Sequence, residues 1–166
     1  MHLRYDYLIV GSEIAALRAA IELANAGDVA MLTKARSEEG STVYAQGGIA
    51  AAIGPDDSSG SHAADTIAAG DGLCDLDAVR MLTEEGPRHV RELMEWGARF
   101  EHDADGSLAL ASEGAYHVRR VLHARDTTGR EIARALWERS AGPAAVRVVE
   151  HALATDAVIE DGRCVG

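Results

Sequence analysis

Positive charge is scarce in this chain: 16 Lys and Arg stand against 27 Asp and Glu, a formal net charge of -11. That excess repels a nucleic-acid backbone and an anionic membrane surface, so neither is expected as a partner. Cysteine is scarce too. Cys74 and Cys164 lie far apart and form no CxxC pair, which excludes a disulfide framework and suits a reducing compartment, hence a cytoplasmic protein. No stretch reaches the roughly 20 apolar residues of a membrane span, and the N-terminus, residues 1–10, has one Arg and an apolar run too short for the h-region of a signal peptide. His62 and Asp65 lack a third ligand at metal spacing, so no metal is expected. Aromatics make up only 4% of the 166 residues, and there are no internal repeats. The 17 glycines and many alanines suit closely packed helices and strands joined by tight turns. A chain of this length can bury one core of its own.

The first clear signal is a strand–turn–helix–strand run. Residues 7–10 are continuously apolar, the pattern of a strand buried on both faces. Gly11 breaks the run. From Ile14 to Ala26 apolar residues recur at helical spacing, with Gly27 as C-cap, and a second strand follows over residues 29–33. This is a βαβ unit, and its crossover is expected to be right-handed with parallel strands. Further on, residues 54–60 read as a surface turn and 62–69 as a helix broken at Gly70. Residues 75–85 and 87–96 read as two helices in series, Pro87 sitting in the first turn of the second and Gly97 ending it. A hairpin is expected around residues 103–106. Thr128 to Glu131 has the form of a capping box opening a helix to about Ser140. Strands are expected over 146–149 and 154–159, with Asp161-Gly162 as a hairpin turn. Only three residues then remain for the returning strand, so the chain reads as an α/β domain incomplete at its C-terminus.

Gly11-Ser12-Glu13-Ile14-Ala15-Ala16 occupies the place of a dinucleotide-binding fingerprint, G-x-G-x-x-G/A, after a strand and before a helix. The first Gly makes the turn, and the helix N-terminus favours a diphosphate. Glu13 stands where the second Gly should be. A carboxylate about 4 Å from a phosphate repels it by about 1 kcal/mol in water and about 4 at an effective dielectric of 20. Either Glu13 opposes the diphosphate, or its side chain turns to solvent and only backbone touches the cofactor.

Glu39-Gly40-Ser41-Thr42-Val43-Tyr44-Ala45-Gln46-Gly47-Gly48-Ile49-Ala50 closely resembles the flavin loop of the L-aspartate oxidases, within the wider succinate dehydrogenase and fumarate reductase flavoprotein group. The second strand of that group ends in a small hydroxyl residue and Lys, as Thr33-Lys34 does here. The resemblance implies a Rossmann-like FAD-binding domain, with residues 1–166 as its N-terminal part. It implies FAD contacts from Gly11, Ser12, Glu13, Ile14, Ala15 and Lys34, and from Ser41, Thr42, Val43, Tyr44, Ala45, Gln46, Gly47 and Gly48. Two successive glycines let a chain pass close to a flat ring, and consecutive N–H groups can bind flavin carbonyls and phosphates. Ser41 sits where covalently flavinylated members carry histidine, so FAD is expected to be noncovalent.

A second stretch, Glu113 through Gly129, resembles the oxidase family's E-G-G-H-S-x-R-R-x-L-H-A-x-D-x-T-G. By that resemblance Glu113 lies at the substrate, where a carboxylate beside an α-ammonium distinguishes aspartate from plain dicarboxylates. Tyr116 and His117 depart from the pattern. Arg119, Arg120 and His123 could clamp an anion, but positions flanking a loop, exposed or paired with carboxylates, are the expected role. Leu153 and Ala154 match positions that lie beside adenine.

The family chemistry so implied is FAD-dependent oxidation of L-aspartate to iminoaspartate. O2 or fumarate then reoxidises the flavin, and quinolinate synthase takes the product toward NAD. The substrate-clamping residues of the family fall beyond Gly166, so the chain alone is expected to be inactive. Two alternatives stand beside this: a fumarate reductase or succinate dehydrogenase-type fragment, which would want histidine at position 41, and a non-catalytic module that has lost FAD.

Overall fold

A computed structural model describes residues 3–114, 116–141 and 146–166. Ala115 of the second family-like stretch, and Met1 and His2 at the N-terminus, lie outside the described residues. In chain order the elements are β1 (Tyr7–Val10), α1 (Ile14–Leu23), β2 (Val29–Leu32), the helical turn α2 (Ser41–Tyr44), β3 (Ile49–Ala50), α3 (Ser59–Ala69) and α4 (Leu76–Glu95). Then come β4 (Leu110–Ala111), β5 (Val121–Leu122), α5 (Thr128–Ser140), β6 (Arg147–Val149), β7 (Ile159–Glu160) and β8 (Arg163–Cys164). The chain forms two compact units, one of residues 1–43 with 136–166 and one of residues 44–135.

The first unit carries the expected βαβ start. β1 and β2 are parallel, Tyr7 opposite Val29 through Val10 opposite Leu32, and β6 adds in parallel on the far side of β2. β2 is therefore central, and Val29, Ala30 and Met31 are buried with Leu17, Ala20 and Ile21 of α1. The prediction that β1 is buried on both faces is corrected: Leu8 is 53% and Val10 64% exposed, because β1 is an edge strand covered on one face by α1. The helix predicted over 14–26 stops at Leu23, and Gly27 is not its left-handed cap. Gly27 instead leaves room for Asp6, whose carboxylate accepts from the Asp28 N–H at 2.9 Å; a Cβ there would sit 2.6 Å from that carboxylate. The strand expected over 154–159 shrinks to β7, which pairs with β8 across Asp161-Gly162. Both turn residues have positive φ, 49° and 75°, as a two-residue hairpin of the favoured hand requires.

In the second unit β5 is the middle of an antiparallel sheet ordered β3-β5-β4, with Val121 and Leu122 buried. The two helices expected in series are one, α4, with Pro87 buried inside it. Val79, Thr83, Pro87 and Val90 form one buried stripe on this helix, which packs against α3. Burial of that stripe outweighs the single backbone bond that proline removes. Gly97, at φ 94°, does end the helix: its N–H donates to Met94 O and that of Ala98 to Leu93 O, a Schellman motif. The hairpin near residue 103 forms, closed by a bridge between His102 and Leu108. The capping box does not form as predicted. The Glu131 carboxylate accepts from Arg99 N–H and grips Arg134, because a charged guanidinium three residues on is the stronger donor. Among the described residues no helix is long and apolar enough to cross a membrane.

Candidate functional site

The turn after β1 has the geometry its glycine predicts. Gly11 lies at φ 120°, a region only glycine enters freely, and its N–H donates to Leu32 O at 2.8 Å. Ser12 Oγ donates to Thr33 Oγ1 at 3.1 Å, tying the turn to the end of β2. Glu13 is the extended N-cap of α1, yet its side chain makes no cap bond, so the first-turn N–H groups of the helix are left uncapped by the residue at the capping position. Ile14 and Ala15 stand exposed beside them.

The Glu13 carboxylate does not turn to solvent. Oε1 accepts from the Ser41 N–H at 2.7 Å, and Oε2 from the Thr42 N–H at 2.9 Å and from the Thr42 hydroxyl. Gly40 makes this approach possible, since a Cβ there would lie 2.7 Å from Glu13 Cδ. Partial burial pushes the Glu13 carboxyl up, but the Thr42 hydroxyl, the Thr42 N–H and the Ser41 N–H together hold it below the ordinary value of 4.5.

Among the remaining predicted residues of this unit, Lys34 and Ser41 are exposed and Val43 is half-buried. Beyond β6 the chain turns at His151, φ 54°, and Ala152 N–H donates to Thr33 O at 3.0 Å. Leu153, 73% exposed, and Ala154 follow as an open extended segment.

In the second unit Tyr44, the last residue of α2, and the loop Ala45, Gln46 and Gly47 are exposed, pinned where Gly129 N–H donates to Ala45 O at 3.1 Å. The two glycines differ. A Cβ on Gly47 would meet nothing within 4 Å, whereas one on Gly48 would lie 2.5 Å from Leu122 O and 2.9 Å from His123 Cε1. The packing of β5 thus accounts for Gly48, and Gly47 stays open to an outside group.

Glu113 sits on a tight turn: Gly114 has φ 57° and Tyr116 N–H donates to Glu113 O at 3.3 Å. Its side chain is half-exposed, with Oε1 3.2 Å from His123 Nε2. The two departures from the family pattern anchor this loop. His117 bonds Asp65 through its N–H at 3.1 Å and again through its ring Nδ1. The Tyr116 ring lies 4.9 Å from the Arg120 guanidinium carbon and edge-on to His62. Arg120 is fully buried and reaches Asp57 at 3.1 Å, Asp65 at 3.0 Å and Ser61 at 3.2 Å. It is therefore a structural cation paired with carboxylates. Asp57, Ser61, His62 and Asp65 were not singled out together from the sequence. The only hint is that Ser61, His62 and Asp65 recur at three- and four-residue spacing on α3. A cavity of about 310 Å³ lies beside this network, lined by Asp56, Asp57, Asp103 and Arg119 among others, and none of the predicted site residues borders it.

His62 supplies a pH prediction. It is 2% exposed, and burial first, then the Arg120 charge, pull its pKa below 6.5 against the opposing pull of Asp57 and Asp65. The unfolded imidazole takes up a proton near 6.5 and the folded one does not, so this residue removes stability as pH falls from about 7 toward its folded pKa. Urea unfolding at a series of pH values between 5 and 7 should show that decline in the wild type and a flatter profile in His62→Gln.

A glycine turn between parallel strands, feeding a helix left uncapped by the residue at its capping position, defines an α/β dinucleotide-binding domain. In the first unit Gly11 and the start of α1 suit the diphosphate of such a cofactor, while at the Ser41 and Thr42 amides a carboxylate of the chain itself is in the way; in the second unit Gly47 leaves room for a flat ring. The sequence matches the FAD binding domain family over residues 6–166, and the chain belongs to that family, whose cofactor is FAD. It is 49% identical over 92% of its length to L-aspartate oxidase 2-b, chloroplastic, of Nicotiana tabacum. It is 48% identical over 97% of its length to L-aspartate oxidase of Streptomyces coelicolor. It spans only 24% and 28% of those two relatives. Among solved structures it superposes on the quinol fumarate reductase subunit FrdA of E. coli with a TM-score of 0.90 at 31% identity, covering 98% of this chain and 28% of that one.

Proposed function

We propose that the chain is the cofactor-cradling part of an FAD-dependent L-aspartate oxidase, forming iminoaspartate for quinolinate and NAD synthesis in the cytoplasm. O2 or fumarate serves as acceptor, and quinolinate synthase consumes the product. Relatives of about half-identical sequence carry that name, and two positions favour it over a fumarate reductase or succinate dehydrogenase type. Ser41 has no imidazole to bond flavin covalently. Glu113 presents a half-exposed carboxylate on a pinned turn, and that single observation carries the assignment of substrate.

When bound, FAD supplies the two-electron acceptor that no protein side chain provides. Gly11, Ser12, Glu13, Ile14 and Ala15, with the Ser41 and Thr42 amides, would hold its diphosphate; Lys34 and residues 43–48 would hold the rest of the cofactor, and Leu153 and Ala154 its adenine. Glu113 holds the substrate ammonium, and Asp65, through His117, keeps the Glu113 turn from drifting. Residues 1–166 are read as the N-terminal part of a longer FAD-binding domain, a reading supported by the 24% and 28% of the two oxidase relatives that they span.

The test compares L-aspartate with succinate as reductants of bound flavin in the intact protein. L-aspartate should bleach the flavin and succinate should not. Glu113→Gln should lower kcat/KM for L-aspartate by about 10- to 100-fold, the worth of one charge-assisted hydrogen bond, with little effect on fumarate as acceptor. Equal reduction by succinate sinks the assignment in favour of the dehydrogenase alternative, and a colourless protein at saturating FAD favours the non-catalytic one.

A further inference from the structure

Glu13 touches the same backbone that a bound dinucleotide is read to need, and all the groups involved lie within the first unit. Its carboxylate takes two N–H groups and a hydroxyl from Ser41 and Thr42, at 2.7 and 2.9 Å for the two amides. The donors of this pair are what an anionic ligand oxygen would use, and a carboxylate is an anionic oxygen ligand on a tether. Gly40 is the structural trace of that contact, because any side chain there would collide with the Glu13 carboxylate. Glu13 caps nothing in its own helix, although it sits at the capping position. A residue held there for local structure would bond the second or third N–H of α1; this one reaches across to a loop 28 and 29 residues away.

The geometry points to Glu13 as an internal latch: its carboxylate occupies the Ser41 and Thr42 amides in the cofactor-free chain and must swing away before the FAD diphosphate can use them. The inference rests on the FAD reading above and adds that cofactor affinity is set by competition with a side chain of the protein. Such a latch has two effects of opposite sign. With no cofactor it stabilises the turn and the loop by joining them. With cofactor it weakens binding, because the bonds to the carboxylate must be broken and a negative charge left near the phosphates. An exposed glutamate acting only by bulk repulsion would produce the second effect without the first.

The experiment is FAD titration by flavin fluorescence, with ADP as a second probe carrying the diphosphate but no flavin, paired with melting of the cofactor-free protein. Wild type is compared with Glu13→Gln and Glu13→Ala; the glutamine variant guards against loss of folding in the smaller one. Both variants are expected to bind FAD and ADP at least about tenfold more tightly, and to melt at lower temperature than wild type when free. FAD affinity unchanged or weakened in Glu13→Gln overturns the latch while leaving the FAD reading intact. Tighter binding with no fall in the melting temperature also overturns it, since the amides were then not held. If none of the three proteins binds FAD or ADP, the FAD reading fails and the latch falls with it.

Discussion

Replacing Arg120 by methionine is expected to destabilise the second unit by about 3–5 kcal/mol, enough to unfold a domain of ordinary stability. The side chain is 0% exposed, and it is bonded to two buried carboxylates and the Ser61 hydroxyl. Methionine fills much of the same volume but removes the buried cation that both Asp57 and Asp65 reach, leaving Asp65 with His117 and Asp57 without that pair. Asp65 is held below the ordinary carboxylate range by the His117 ring and N–H, with the Arg120 charge assisting against burial. Removing the guanidinium weakens that hold, so the stability gap between variant and wild type should narrow as pH falls and Asp65 takes up a proton in both. Arg120→Lys should fall between, because it keeps the charge but its shorter chain must carry the ammonium to the point where Nη2 alone meets all three acceptors. Urea unfolding measures the loss directly. Hydrogen exchange at residues 113–117 gives the functional consequence: once Asp65 is no longer positioned by Arg120, the turn carrying Glu113 should exchange faster even where the unit still folds.

That network also marks where sequence reading reaches its limit. The βαβ start, the Gly11 turn and the Asp161-Gly162 hairpin were legible because each is set by neighbours within a few residues: apolar runs, one glycine, one turn dipeptide. Glu131 failed the same kind of local reading. Its spacing from Thr128 fits a capping box, but Arg99 and Arg134 compete for the carboxylate and win. Pro87 failed for a related reason, because its effect on the helix depends on the face it buries against α3. Family resemblance located Glu113, Ser41 and the double glycine, yet it could not foresee what Tyr116 and His117 are for. Their partners Arg120, His62 and Asp65 are brought in by the fold, with His117 and Asp65 lying 52 positions apart. The destination of Glu13 was hidden in the same way. Electrostatics alone allowed repulsion or retreat into solvent, and only the fold shows the two backbone amides that hold the carboxylate.

The pair Gly47 and Gly48 separates a folding role from a cofactor role, and the second large effect is expected there. Gly48→Ala puts a methyl 2.5 Å from the Leu122 carbonyl oxygen and 2.9 Å from His123 Cε1, with Val121 closing the third side. Val121 and Leu122 are the buried centre of the sheet, and Leu122 is opposite Ile49, the residue that follows Gly48. A carbonyl in a strand cannot rotate away as a side-chain tip can, so β3 must separate from β5. Such overpacking costs about 1–3 kcal/mol, with the upper end expected where backbone is the obstacle. The displaced His123 also withdraws from Glu113, so a surviving protein should discriminate L-aspartate less sharply. Gly47→Ala meets no atom within 4 Å and has no positive φ to strain. Its melting temperature should therefore stay within the range of a neutral surface change, about 0.5 kcal/mol either way. If the open side of Gly47 faces the flavin ring, the same methyl should weaken FAD binding clearly while leaving the free protein as stable as before. Thermal melting of both variants without FAD, followed by FAD titration, separates the two glycines. A Gly47→Ala protein with wild-type affinity would place the ring elsewhere.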